Sequence, residues 1–178
     1  MAMERFERAA VLLSLAERLR DAESWCGETH VQKVTYFLQD LLEVPLEFDF
    51  ILYKHGPYSF DLSDEISWMW ANDFLKPRPQ QRPYGPKLVP GERAELLKKI
   101  YSKSIEEYAN KVQKIVDKFA PMKARALERY ATAYYVSKEK KEITPDAMAA
   151  EIVERKPHIS PGEAREAVAF VAQLKSTL

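Results

Sequence analysis

The chain has 178 residues, of which 46% are apolar and 30% are charged, a balance typical of a globular domain and unlike that of a disordered chain. Its 27 basic and 27 acidic residues give a net charge of zero. This excludes attraction of the protein to nucleic acid or to an anionic membrane through its net charge. No apolar run approaches the roughly 18–20 residues that span a bilayer, and the single cysteine, Cys26, leaves no partner for an internal disulfide. We therefore expect a cytoplasmic protein with no membrane partner.

The N-terminal part of the chain predicts helices around a short strand. Apolar residues at helical spacing predict an amphipathic helix over residues 4–21, and Thr29 is a candidate N-cap of a second helix that ends near residue 43. Apolar residues alternate with other residues over 46–52, which predicts a half-buried strand. Glycine and proline at positions 56 and 57 then predict a sharp turn.

The remainder of the chain predicts one more strand pair and a series of helices. Ser59 is a candidate N-cap of a third helix, and a proline-rich stretch over 74–89 predicts a hairpin-like flap. The predicted fold class is therefore α+β and predominantly helical. It has N-terminal helices with a small antiparallel sheet that includes a winged-helix-like flap, followed by a C-terminal helical bundle. We expect the parts 1–90 and 91–178 to pack as one unit.

Two features of the second helix and the turn are open to a functional or a structural interpretation. Lys33, Tyr36 and Asp40 share one helix face, which is either a recognition surface or a solvated face. His55 follows the predicted strand, a place where functional side chains are common. Its possible roles are those of a general base, a ligand, a pH switch, or a side chain that fixes the turn around Gly56.

The sequence predicts no catalytic residue, no metal site and no cofactor. Cys26 and His30 have a Cys-x3-His spacing, but a metal site needs three or four ligands and His158 is distant in sequence. The five glycines do not form a phosphate-binding loop. An enzyme that uses His55 as its base is the third of our hypotheses.

The predicted flap carries a local excess of positive charge and no acidic residue. A basic hairpin of this kind contacts the phosphate backbone or the minor groove in winged-helix proteins. Prolines and long cationic side chains also protect an exposed sheet edge from unwanted pairing, so both interpretations stay open. The cations are Lys76, Arg78, Arg82 and Lys87, and Tyr84 lies among them.

Several short motifs occur together along the chain: Lys33 with Tyr36 and Phe37, then 53–59 (YKHGPYS) with Leu62, 127–135 (LERYATAYY), Lys156-Pro157, and 160–163 (SPGE). In this combination the chain resembles the bacterial and archaeal YwgA-like family, which is itself similar to the Panacea (SocA-like) domain. The resemblance implies an antitoxin or a protein adaptor that binds a protein partner and does not catalyse a reaction.

Our first hypothesis is therefore a non-enzymatic binding and regulatory protein of the antitoxin or adaptor type. Its candidate partner-binding residues are Lys33, Tyr36, His55, Gly56, Pro57, Tyr58 and Ser59. The alternative is a winged-helix-like transcriptional regulator that binds nucleic acid through Lys76, Arg78, Arg82 and Lys87. A homo-oligomer is compatible with either hypothesis.

Overall fold

A computed structural model describes residues 3–24, 27–82 and 85–177. Within these ranges the chain forms eight helices and four short strands, which confirms the predicted α+β, predominantly helical fold. In chain order these are α1 (Arg5–Asp21), α2 (Glu28–Asp40), β1 (Ile51–Tyr53), β2 (Gly56–Tyr58), α3 (Phe60–Ala71), β3 (Leu75–Arg78), β4 (Lys87–Pro90), α4 (Ala94–Ile100), α5 (Ser102–Phe119), α6 (Ala124–Glu139), α7 (Pro145–Arg155) and α8 (Pro161–Thr177).

The strands form two separate antiparallel hairpins. In the first, β1 and β2 pair with Tyr53 opposite Gly56. In the second, β3 and β4 pair from Leu75 opposite Pro90 to Arg78 opposite Lys87, and this hairpin is the predicted flap. The flap lies against α1 and α3, which cover its apolar side.

The predicted strand over 46–52 is wrong in its extent. Leu46 and Phe48 are buried while Glu47 and Asp49 are exposed, as the alternation predicts, but pairing begins only at Ile51. The segment before it is interrupted at Glu47, whose φ is +58°. A side chain takes the place of a neighbouring strand, because the amide of Gln39 accepts from the Phe48 N–H at 2.8 Å and donates to the Phe48 carbonyl at 2.9 Å.

Helix α1 is buried more completely than its sequence predicts. All side chains over 9–16 are buried, so the helix is covered around its whole circumference there and not along one stripe. Helices α4 and α5 and strand β4 supply that cover. The charged residues that suggest an amphipathic helix lie near its two ends.

Helix α2 occupies a similarly central place, and this overturns the predicted exposed face of Lys33 and Tyr36. Nine consecutive residues, 30–38, are buried, and both side chains are 1% exposed. Helices α5, α6 and α3 and strand β2 pack around α2 and leave residues 30–38 no solvated side. Asp40, at the end of the helix, is partly exposed.

Helix α6 connects the two halves of the molecule. It packs against α2 and β2 on one side and against α7 and α8 on the other. One continuous hydrophobic cluster accordingly contains side chains from α1 through α8. None of the described helices is both long and apolar enough to cross a membrane.

Candidate partner-binding site

Two buried lysines bind the backbone of residues 53–59, which run from the end of β1 through β2 to the start of α3 and which we call the turn. The Lys33 ammonium, on α2, donates to the Pro57 carbonyl at 2.7 Å. The Lys156 ammonium, just after α7, donates to the Lys54 carbonyl at 2.8 Å and also to the Tyr53 carbonyl. Hydrogen bonds from charged donors are among the stronger ones in proteins, so these contacts fix the turn from both sides.

A buried glutamine fixes the end of the same turn. The Gln32 side chain donates to the Ser59 carbonyl at 2.9 Å and accepts from the Ser59 N–H at 2.9 Å. The Ser59 hydroxyl in turn accepts from the Leu62 N–H at 3.2 Å, which confirms Ser59 as the N-cap of α3. The direction in which α3 leaves the turn is therefore set by α2.

Glu128, on α6, supplies the negative charge beside the two lysines. Its side chain is largely buried, and one oxygen accepts from Nε2 of His158 at 2.9 Å while the other lies 3.7 Å from Nδ1 of His55. The carboxylate favours the charged forms of Lys33 and Lys156. This partial compensation makes a buried cationic pair tolerable.

Burial still disfavours the charged form of both lysines. It lowers the pKa of Lys33 from 10.5 to about 8, and the neighbouring Lys156 charge lowers it further while Glu128 opposes the shift. Burial also lowers the pKa of Lys156. With a pKa of about 8, Lys33 is still mostly an ammonium group at neutral pH, and its charge costs free energy.

Gly56 is required because α6 approaches the turn closely. Its φ is +85°, a conformation that residues with a Cβ rarely adopt. A Cβ there would lie 3.0 Å from the Thr132 hydroxyl and 3.3 Å from the Glu128 carbonyl. The chain reverses over 54–55 and not at the predicted positions 56 and 57, because Gly56 and Pro57 already pair with β1 as part of β2.

The turn presents three aromatic rings at the protein surface, which we name the aromatic cluster: Tyr53, Tyr58 and Phe60. Tyr53 is 42% and Phe60 54% exposed, and Tyr58 is half-buried. The ring centroids lie 5.1–5.8 Å apart in tilted and edge-to-face arrangements. Ile51, two residues before Tyr53 on β1, is 44% exposed and extends the apolar surface.

The structure separates the seven predicted partner-binding residues into two groups. His55 is exposed and Tyr58 is half-exposed, so both can meet a partner. The other five are buried and support the turn from within: Lys33, Tyr36, Gly56, Pro57 and Ser59.

Tyr36 shows why a polar aromatic residue is misjudged from sequence. The centroid of its ring lies 5.0 Å from that of Phe50 and 5.7 Å from that of Tyr134. Burial raises the pKa of its phenol. The residue belongs to an aromatic core between α2 and α6. It cannot touch a partner without unfolding of that core.

Sequence reasoning missed several residues of this site. Tyr53, Glu128 and Lys156 stand in the motifs that carry the family resemblance, but nothing in their spacing shows that they meet. Phe60 directly follows one of those motifs and Gln32 directly precedes another. An aromatic residue flanking a predicted turn is the one signal that could have pointed to the aromatic cluster.

The four cations of the flap lie at its surface. Lys76, Arg78 and Arg82 are exposed and Lys87 is partly exposed. Among the described residues none of the four forms an ion pair, although Arg78 and Lys87 stand directly opposite each other. Tyr84, predicted to lie among them, is outside the described residues.

The catalytic and metal hypotheses gain little from this geometry. The His55 side chain is 72% exposed and meets Glu128 on an open surface that does not exclude water. Within residues 3–24, 27–82 and 85–177 no three His, Cys, Asp or Glu side chains come close enough to hold a metal ion. Cys26 lies outside those ranges.

No protein-family model matches the chain, and no curated protein aligns with it. The resemblance to the YwgA-like family therefore stays a prediction that rests on the motifs themselves. Those motifs do share a place in the fold, since Lys33, the 53–59 turn, Glu128 and Lys156 are all in contact or close to one another.

The lowered pKa of Lys33 predicts an unusual dependence of stability on pH. Between about 8 and 10.5 the unfolded chain binds more protons at this lysine than the folded chain, so stability rises with pH in this window. The slope from this group is at most about 1.4 kcal/mol per pH unit. We expect the free energy of unfolding of the wild type, relative to that of Lys33→Met, to rise from about pH 8 upward, as measured by urea denaturation.

Taking the difference between wild type and Lys33→Met removes the contributions that other titrating groups make to the pH dependence of stability. One such group is Tyr134, whose pKa is raised to about 12. Lys103→Met, a change at an exposed lysine, is the matched control and should follow the wild type. If the free energies of unfolding of wild type and Lys33→Met change in parallel with pH between about 8 and 10.5, a buried, charged Lys33 is contradicted.

Proposed function

We propose that this chain is a cytoplasmic, non-enzymatic protein-binding regulator of the antitoxin or adaptor type. The observation that carries the proposal is the aromatic cluster, exposed on a turn that buried side chains hold in place. Large aromatic side chains are enriched at protein interfaces and dominate their binding energy.

The setting of the aromatic cluster supports this role. Tyr53, Tyr58 and Phe60 contact one another and leave much of their ring surface to solvent. The Tyr58 hydroxyl donates to the Glu28 carboxylate at 3.2 Å, which orients its ring. Because the backbone beneath is fixed by Lys33 and Lys156, a partner would not have to order the turn on binding, and affinity gains from that preorganisation.

The test is capture of a partner by the tagged full chain and by two double variants. We expect Tyr53→Ala with Phe60→Ala to reduce retention of a specific protein by at least about tenfold, since two interface aromatics commonly contribute more than 1.4 kcal/mol. The matched control is Leu96→Ser with Ile100→Ser, which removes two exposed apolar side chains from α4.

The control variant should retain the partner at the wild-type level. The proposal fails if no captured protein depends on the aromatic cluster, or if both double variants lose the same protein equally. Circular dichroism spectra of the variants should match that of the wild type, because all four substituted side chains are surface-exposed.

A second candidate function, nucleic-acid binding, is favoured by one specific observation. Arg78 and Lys87 face each other across the flap, and like charges directly opposite in a hairpin repel each other. With no described carboxylate paired to them, a phosphate group between them would relieve this repulsion. Lys76 and Arg82 lie on the same hairpin and would extend such a contact.

This second function predicts salt-dependent binding of duplex DNA. Arg78→Ala with Arg82→Ala should weaken binding of any duplex and reduce the slope of log affinity against log salt by about 0.9 for each lost phosphate contact. Lys103→Ala with Lys114→Ala, on exposed positions of α5, is the control. Absence of salt-sensitive binding by the wild type at low ionic strength would exclude the function.

A further inference from the structure

The aromatic cluster lies on a part of the chain that carries an excess of negative charge. Lys54 is the only lysine or arginine in the sequence between positions 34 and 75, whereas acidic residues recur throughout that stretch. Three exposed carboxylates lie beside the cluster or next to one of its residues in sequence. They are Glu28, in the first turn of α2, and Asp61 and Asp64, near the beginning of α3.

Glu28 and Asp64 act directly on Tyr58 of the aromatic cluster. The Tyr58 hydroxyl donates to Oε1 of Glu28 at 3.2 Å, and the Ser63 hydroxyl donates to the same oxygen at 2.8 Å. Burial raises the pKa of the Tyr58 phenol, and the charges of Glu28 and Asp64 raise it further. Because both hydroxyl donors are neutral, Glu28 keeps its negative charge beside the rings.

Within the described part of the chain these three carboxylates have no cationic partner. Ion pairs form elsewhere on the surface, but none of them includes Glu28, Asp61 or Asp64. The buried Lys33 ammonium interacts with the charge of Glu28 more weakly than with that of Glu128. The surface around the aromatic cluster therefore offers negative charge that a partner can meet.

An arginine of the chain itself shows what such a surface binds. Cζ of Arg5 lies 4.0 Å from the ring centroid of Trp68, and Nε of Arg5 donates to Oε2 of Glu65 at 3.1 Å. Glu65 and Trp68 are three residues apart on α3, so a carboxylate and an aromatic ring hold one guanidinium together. Phe60 and Asp64, four residues apart on the same helix, form a comparable pair that no described arginine covers.

We propose that the aromatic cluster binds a basic, arginine-bearing segment of the protein partner. Guanidinium groups would stack on the exposed rings of Tyr53 and Phe60. The carboxylates of Glu28 and Asp64 would accept hydrogen bonds from the same groups. The inference rests on the proposed protein-binding function and names the chemistry of the partner.

The combination of rings and carboxylates selects arginine among the possible occupants. The phosphates of a nucleic acid would be repelled by this surface. A purely apolar segment would cover the rings but would remove water from the carboxylates without replacing it. A planar guanidinium stacks on an aromatic ring and binds a carboxylate through two parallel hydrogen bonds, whereas a lysine ammonium is compact and strongly hydrated.

The test is fluorescence anisotropy of short labelled peptides that alternate glycine with arginine, lysine or glutamate, titrated with the full chain at low ionic strength. We expect the arginine peptide to bind most tightly, the lysine peptide more weakly and the glutamate peptide not at all.

Two double variants of the full chain should weaken binding of the arginine peptide. Glu28→Gln with Asp64→Asn should reduce the affinity at least about tenfold, and Tyr53→Ala with Phe60→Ala about fivefold. The matched control is Glu106→Gln with Glu154→Gln, which makes the same change in net charge at exposed positions of α5 and α7 and should bind as the wild type does.

The inference is overturned if the arginine peptide binds no more tightly than the lysine or the glutamate peptide. It is also overturned if the control variant loses as much affinity as Glu28→Gln with Asp64→Asn, since binding would then depend on net charge alone. If the captured partner is lost on Tyr53→Ala with Phe60→Ala but kept by Glu28→Gln with Asp64→Asn, the proposed function stands and this inference alone fails.

Discussion

Two buried ammonium groups that bind backbone carbonyls of one turn are the constraint on which this structure depends. Lys33 comes from α2 and Lys156 from the segment after α7, so the turn between β1 and β2 ties together parts of the chain more than a hundred residues apart. Buried charges are costly, and here hydrogen bonds and the nearby Glu128 carboxylate offset that cost only in part.

That geometry explains how a core feature and a surface feature can share one motif. The residues of the turn that bind the lysines are buried, whereas Tyr53, Tyr58 and Phe60 project from the same backbone to solvent. A rigid support lowers the entropy lost when such side chains meet a partner. The exposed face of α3 continues from Phe60 to Trp70, which borders a largely apolar groove.

The elements governed by local rules could be predicted from the sequence. The Ser59 cap and the flap follow from short-range conformational preferences and are confirmed, whereas the N-cap of α2 is Gly27 and not the predicted Thr29. The burial of Lys33 could not be predicted, because lysine is almost never fully buried and its partner, the Pro57 carbonyl, is found only in the folded chain. The hydrogen bonds of Gln39 to the Phe48 backbone, which replace those of a neighbouring strand, also could not be predicted, because the two residues meet only in the folded chain.

The most direct measurement of the central claim is hydrogen exchange at the Ser59 amide, which donates to the buried Gln32 side chain at the end of the turn. If buried side chains hold the turn, this amide exchanges as slowly as amides in the middle of α2, since both open only when the core unfolds. Exchange at a rate typical of an exposed hairpin would contradict a turn fixed from within. The aromatic cluster would then lack the rigid support that its proposed role requires.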